Sequence, residues 1–237
     1  DPIGLIFKVG TSEYDTNMNF SHAYVIALKN AVSGCLWAPA GSTYASNQAT
    51  DILIDAPTSK TDDALKSEII NDLDGYKHCL TARNKVTTFS ASNLPAMFYA
   101  ENYESTVTHP LLSSGWYLPS IGHWYELVKL AKGTIPTLSI SGTGTSRQFS
   151  FSDESDTSLH PKINKLFSDR NLTYDEFKGK SANGNKTSNY WSSTEKTTTM
   201  AMHLHFNGST PWLHGNLSWP KTGYTNATFA VRSVLAF

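Results

Sequence analysis

Apolar side chains recur along this chain with two different periods. Gly4-Leu5-Ile6-Phe7-Lys8-Val9 and His22-Ala23-Tyr24-Val25-Ile26-Ala27-Leu28 are short runs rich in branched and aromatic residues, as strands are. Residues 34–38 predict another strand, ended by Pro39. From Thr61 the period becomes helical: Leu65, Ile69, Ile70 and Leu73 follow at i, i+4, i+5 and i+8 behind a Thr61 N-cap and the acidic Asp62 and Asp63. The pattern breaks near Gly75 and resumes over 76–83. Pro95 stands where a helix running to Tyr103 would have its first residue. A longer helix is predicted over 121–132, with Ser120 as N-cap and Trp124, Leu127, Val128 and Ala131 on one face. Gly133 is its stop. Residues 134–158, rich in Ser, Thr and Gly, predict a long loop or hairpin, and 160–171 a further helix through Ile163, Leu166 and Phe167.

The C-terminal tail, 190–237, has a different texture. It opens on Tyr190-Trp191-Ser192-Ser193-Thr194-Glu195 and closes on Phe229-Ala230-Val231-Arg232-Ser233-Val234-Leu235-Ala236-Phe237. As a strand, Met200-Ala201-Met202-His203-Leu204-His205-Phe206 puts Met202, Leu204 and Phe206 on one face and both histidines on the other, predicted to point outward. Asn207-Gly208 is a strong turn signal. Residues 209–224 lack alternation and contain Pro211, Gly215, Pro220 and Gly223, which predicts loops. The closing run predicts a terminal strand buried on most of both sides and lying beside the N-terminal one. The pattern as a whole reads as one domain, 1–237, of α+β class, with short antiparallel sheets, a few helices and much irregular loop.

Composition narrows the function. Charged residues are only 16% of the 237, aromatics reach 12%, and the net charge is −1. There is no basic footprint for nucleic acid and no apolar run near the roughly 18 residues needed to cross a bilayer. No signal peptide is read, and Asp1 reads as the start of a mature chain, so export is not directly legible. The polar, hydroxyl-rich surface suits an extracellular domain. Trp, Tyr and His interleaved with Asn, Ser and Thr in the tail have the makeup of a recognition surface. Its candidate ligand-binding residues are Thr198, His203, His205, Asn207, Trp212, His214, Asn216, Ser218, Trp219 and Tyr224. Trp212 and Trp219 have a competing reading as buried caps over a loop core.

Catalytic chemistry finds little support. Cys35 and Cys79 match neither a CxxC motif nor a zinc framework; they are either buried thiols or one disulfide. His203 and His205 would lie about 7 Å apart on one strand face, with His214 able to come near. A three-histidine zinc site is conceivable, but no acidic group nearby would orient the imidazoles. No G-x-S-x-G nucleophile motif occurs. The expectation is a binding protein without a cofactor or metal.

The quoted tail motifs, with Gly115-Trp116-Tyr117-Leu118-Pro119-Ser120 and its helix, Phe206-Asn207-Gly208 and the strands at 4–9 and 24–28, resemble bacterial C-type-lectin-like domains of surface and fimbrial-tip-like lipoproteins of gut commensals. The resemblance spans nearly the whole chain. It implies a C-type-lectin-like fold, outer-membrane anchoring of the precursor, and a protein or glycan ligand on another cell or host surface. Some such domains are variable proteins of diversity-generating retroelements, in which adenines of C-terminal codons are randomised. By that analogy the outward tail positions would vary. Mutated Asn codons never yield Trp or Met, so Met200, Trp212 and Trp219 need Lys-type codons or are fixed. The same broad fold houses a formylglycine-generating oxidase that uses a reactive cysteine pair, and here the tail has no cysteine. The alternatives are therefore an enzyme of that or a His–metal type, or a structural fimbrial subunit.

Overall fold

The computed structural model describes residues 1–54, 60–152, 156–179, 189–206, 212–214, 220–222 and 229–237; of 212–214 only the backbone is described. The fold is α+β, with two sheets. β1 (Gly4–Val9) and β2 (Ala23–Ala27) follow the sequence expectation. Between them lies a short helix the apolar pattern did not announce, α1 (Glu13–Asn17), capped by the Ser12 hydroxyl on the Asp15 amide. Five residues are too few to display a helical period. β3 (Val32–Cys35) starts earlier than its apolar residues predicted.

Three of the helices begin on the signals that announced them. Thr61 caps α2 (Asp62–Asn71), which buries Leu65 and Ile69. α3 (Gly75–Lys85) follows, and Pro95 opens α4 (Pro95–Glu101). α5 (Ile121–Lys132) is capped at both ends. The Ser120 amide donates to His123 Nδ1 at 3.1 Å, and Gly133 closes the helix at φ 70°, a conformation cheap only for glycine. Burial holds the His123 pKa well below its ordinary value, so the imidazole stays neutral and able to accept. Residues 138–151 form the hairpin of β4 (Leu138–Ser141) and β5 (Gln148–Phe151), and α6 (Asp156–Ser168) begins and ends a few residues earlier than the expected 160–171.

The remaining strands are β6 (Asn189–Thr197), β7 (Met200–His205), β8 (Trp212–His214), β9 (Phe229–Val231) and β10 (Val234–Ala236). One sheet runs β1-β2-β10 and the other β3-β9-β6-β7-β8-β5-β4, antiparallel except where β6 meets β9. Three expectations need correction. The terminal strands share a sheet but are not neighbours, because β2 lies between them. The closing run is two strands, since the chain leaves one sheet at Val231 and enters the other at Val234. Finally, 212–214 is a strand, stabilised by pairing with both β7 and β5, although its own sequence lacks alternation.

One junction fixes how the end of α2, α5 and β6 sit together. The Gly122 amide donates to Asp72 O at 3.0 Å, the Ile121 amide to Thr194 Oγ1 at 2.8 Å, and the Ser193 amide to Pro119 O at 2.8 Å. A Cβ on Gly122 would overlap the Asp72 carbonyl, so only glycine allows this approach.

Candidate functional site

The tail is built on β6 and β7, buried along nearly their whole lengths. Trp191 Nε1 donates to Cys35 O at 2.9 Å, Trp37 Nε1 to Ser192 O at 2.8 Å, and Trp124 Nε1 to Trp191 O at 3.1 Å. Three indoles thus lock β6 into the core while satisfying their own donors.

Beyond β6 the tail is held by a buried charge pair. Glu195 and Lys221 are both fully buried and ion-paired. The carboxylate also accepts from the Ala49 amide (3.0 Å) and from the Thr50 amide and hydroxyl (both 2.6 Å). Lys221 Nζ donates to Asn47 O at 3.0 Å and Thr198 O at 2.7 Å, and lies 4.8 Å from the centre of the Trp37 ring. Burial lowers the Lys221 pKa, while the facing Glu195 opposes that shift. The other end is anchored by Arg232, also fully buried. Its guanidinium donates to Asn30 Oδ1 (2.9 Å) and Asp175 O (2.5 Å) and lies 4.2 Å from the Phe177 ring centre. Lys196, the tail's other lysine, is buried too and donates to Arg147 O at 2.6 Å. Nothing in the local sequence marks these charges as buried, because buried charge with its partners far along the chain leaves no local signal.

His203 and His205 correct the sequence expectation most sharply. Their relative exposures are 0% and 4%, so they do not point into solvent. The pleat put them on a common face as predicted, with ring centres 5.7 Å apart. That face is covered: His203 lies 4.6 Å from Phe229 and 5.6 Å from Trp191. β7 has β6 on one side and β8 on the other, with core against both faces, so polar alternation did not mean a solvated face. In the backbone register His203 faces His214, and His205 faces Trp212. Among the described residues no group of three or more His, Cys, Asp or Glu side chains is placed to hold a metal ion. Thr198 is exposed, in the turn joining β6 and β7. Trp212 and His214 are described only as backbone of β8, and Asn207, Asn216, Ser218, Trp219 and Tyr224 lie outside the described residues.

A buried polar centre was not foreseen. His78 Nδ1 is 3.1 Å from Ser193 Oγ, and His78 Nε2 is 3.4 Å from Asp72 Oδ1 and 3.7 Å from Asp51 Oδ1. Thr194 donates its hydroxyl to the other Asp72 oxygen, and burial raises the Asp72 pKa. These are the residue types of a nucleophile, base and orienting acid. Ser193, however, is fully buried on β6, so its oxygen meets no substrate. The cluster ties α3 to β6 across the junction described above. Cys35 and Cys79 are free buried thiols, and burial pushes the Cys35 pKa up to about 12, far from the reactive thiolate range. Among the described residues no helix is long and apolar enough to cross a membrane.

No protein-family model matches the chain, and no curated protein does. Among solved structures it is similar to a fimbrial protein from Bacteroides ovatus, with a TM-score of 0.54 over 99% of this chain at 17% identity. At that identity the likeness is one of fold. This chain spans 44% of the length of that protein.

Proposed function

We propose that this chain is a non-catalytic ligand-binding module of a surface-exposed, fimbrial-type protein, and that the tail segment 190–237 presents its binding surface to a protein or glycan on another cell. The observation that carries the reading is the construction of the tail. The segments 207–211, 215–219 and 223–228 each begin and end on backbone fixed by β7, β8, the Lys221 clip or β9. Recognition residues are commonly displayed on loops held by a rigid scaffold. The fold likeness to a fimbrial protein supports the surface role, and the tail motifs support the finer C-type-lectin-like and retroelement-variable reading. His203 and His205 leave the proposed contact set, because they pack inside. Thr198, Asn207, Trp212, His214, Asn216, Ser218, Trp219 and Tyr224 remain in it.

The test is a combined Thr198→Ala, Asn216→Ala, Ser218→Ala, Tyr224→Ala variant, compared with the parent on a glycan array and a displayed library of extracellular proteins. The reading expects the Tm to hold while specific hits disappear. Hits that survive the four substitutions refute the tail as the surface. Assembly of the purified chain into polymers, without any hit, favours instead the structural fimbrial subunit, which the same fold likeness also supports. A reverse-transcriptase gene beside a near-copy of the codons for 190–237, differing at adenines, would establish diversification.

A further inference from the structure

A groove of about 470 Å³ opens between α3, α4 and the 109–117 segment; no described residue of 190–237 lines it. That volume falls within the range of small-ligand sites. Aromatic rings stand among polar side chains in its walls. Phe89 and Phe98 lie 5.9 Å apart, and Tyr76 and Tyr117 lie 5.7 Å apart. At its side Arg83 Nη1 donates to Glu101 Oε2 at 3.0 Å, and the guanidinium lies 5.6 Å from the Phe89 ring centre. The Arg83 side chain is 57% exposed while that of Glu101 is only 18% exposed. Burial pushes the Glu101 pKa up to about 7, with Arg83 opposing the shift. A carboxylate so poorly hydrated gains from any hydroxyl that replaces its missing water.

We propose that this groove is a second binding site, and that its ligand is a short neutral saccharide. Three features select that chemistry. Arg83 retains free N–H donors beside a Glu101 oxygen that has no hydrogen-bond donor among the described residues, so a donor and an acceptor stand side by side. That pairing fits adjacent hydroxyls of one sugar ring. Tyr76, Phe89 and Phe98, each only partly buried, offer aromatic surface for the ring's C–H side. Arg83 already has Glu101 as its partner, and His109 Nε2 lies 3.1 Å from Glu104 Oε1, so a charged ligand would have to displace one of these partners to enter. The site is independent of the tail reading and uses none of its residues.

Isothermal titration of the purified chain with maltose, cellobiose, lactose and mannobiose, with tri-lysine as the cationic arm, tests the assignment. At least one disaccharide is expected to bind. Its affinity should fall tenfold or more in Arg83→Met, Glu101→Met and Phe89→Ala. The fourfold tail variant should bind it as the parent does. Circular dichroism and Tm on each variant separate lost binding from lost fold, and Arg83→Met, at a half-exposed position, keeps the comparison open if the others unfold. Silence from all four disaccharides overturns the proposal. So does binding of tri-lysine alone, or disaccharide binding that the groove substitutions leave intact and the tail substitutions remove.

Discussion

Glu195 accepts hydrogen bonds from two amides and a hydroxyl before Lys221 adds its charge, so the ion is solvated by protein on every side the geometry offers. Removing one partner therefore strands the other. Glu195→Gln or Lys221→Met is expected to cost about 3–5 kcal/mol, measured by urea unfolding. Joint replacement by Leu and Met should cost less than the sum of the singles. Asp15 and Glu101 make stability depend on pH. Burial raises Asp15 from 3.8 to about 6 and Glu101 from 4.5 to about 7, so both hold protons more tightly folded than unfolded. Their contribution to stability is full below the unfolded values and is lost as pH rises through about 6 and about 7. Each tenfold of proton affinity is worth roughly 1.4 kcal/mol. Thermal melts between pH 4 and 8 should show that decline, and Glu101→Gln should flatten it above pH 5. An unchanged slope would remove Glu101 from the account.

At the scale of elements, the caps were legible and the contacts between elements were not. Thr61, Pro95, Ser120 and Gly133 all stand where the sequence put them, because capping is settled within four residues of chain. Gly122 gave no such signal, since its need for a bare backbone arises from Asp72, fifty residues away. Gly122→Ala is expected to cost about 1–3 kcal/mol by overpacking, seen as a fall of several degrees in Tm. A neutral result would mean the α5–Asp72 contact yields easily. The tail strand shows the same division. The pleat assigned His203 and His205 to one face, but which face met water depended on Trp191 and Phe229.

At the scale of the molecule, the last nine residues stitch two sheets together. β9 pairs with β3 and β6, and three residues later β10 pairs with β2, with Arg232 and Ser233 between them fully buried. Both thiols are buried, Cys35 on β3 beside β9 and Cys79 on α3 against the Leu118 carbonyl. A thiol reagent such as Ellman's should find neither in the native protein and both in denaturant. Reaction of the native chain at a rate independent of unfolding would contradict that burial. By itself the sequence determined the α+β class, several helix caps, the paired strands near the N-terminus and the framing role of the tail's apolar ends, because these depend on short-range periodicity and capping. Tertiary structure alone decided that the histidines turn inward, that Lys196, Lys221 and Arg232 are buried, that 212–214 becomes a strand, and that Arg83 and Glu101 meet in a groove. Each of those depends on partners distant in the chain, and burial, unlike period, is set by what the rest of the fold brings alongside.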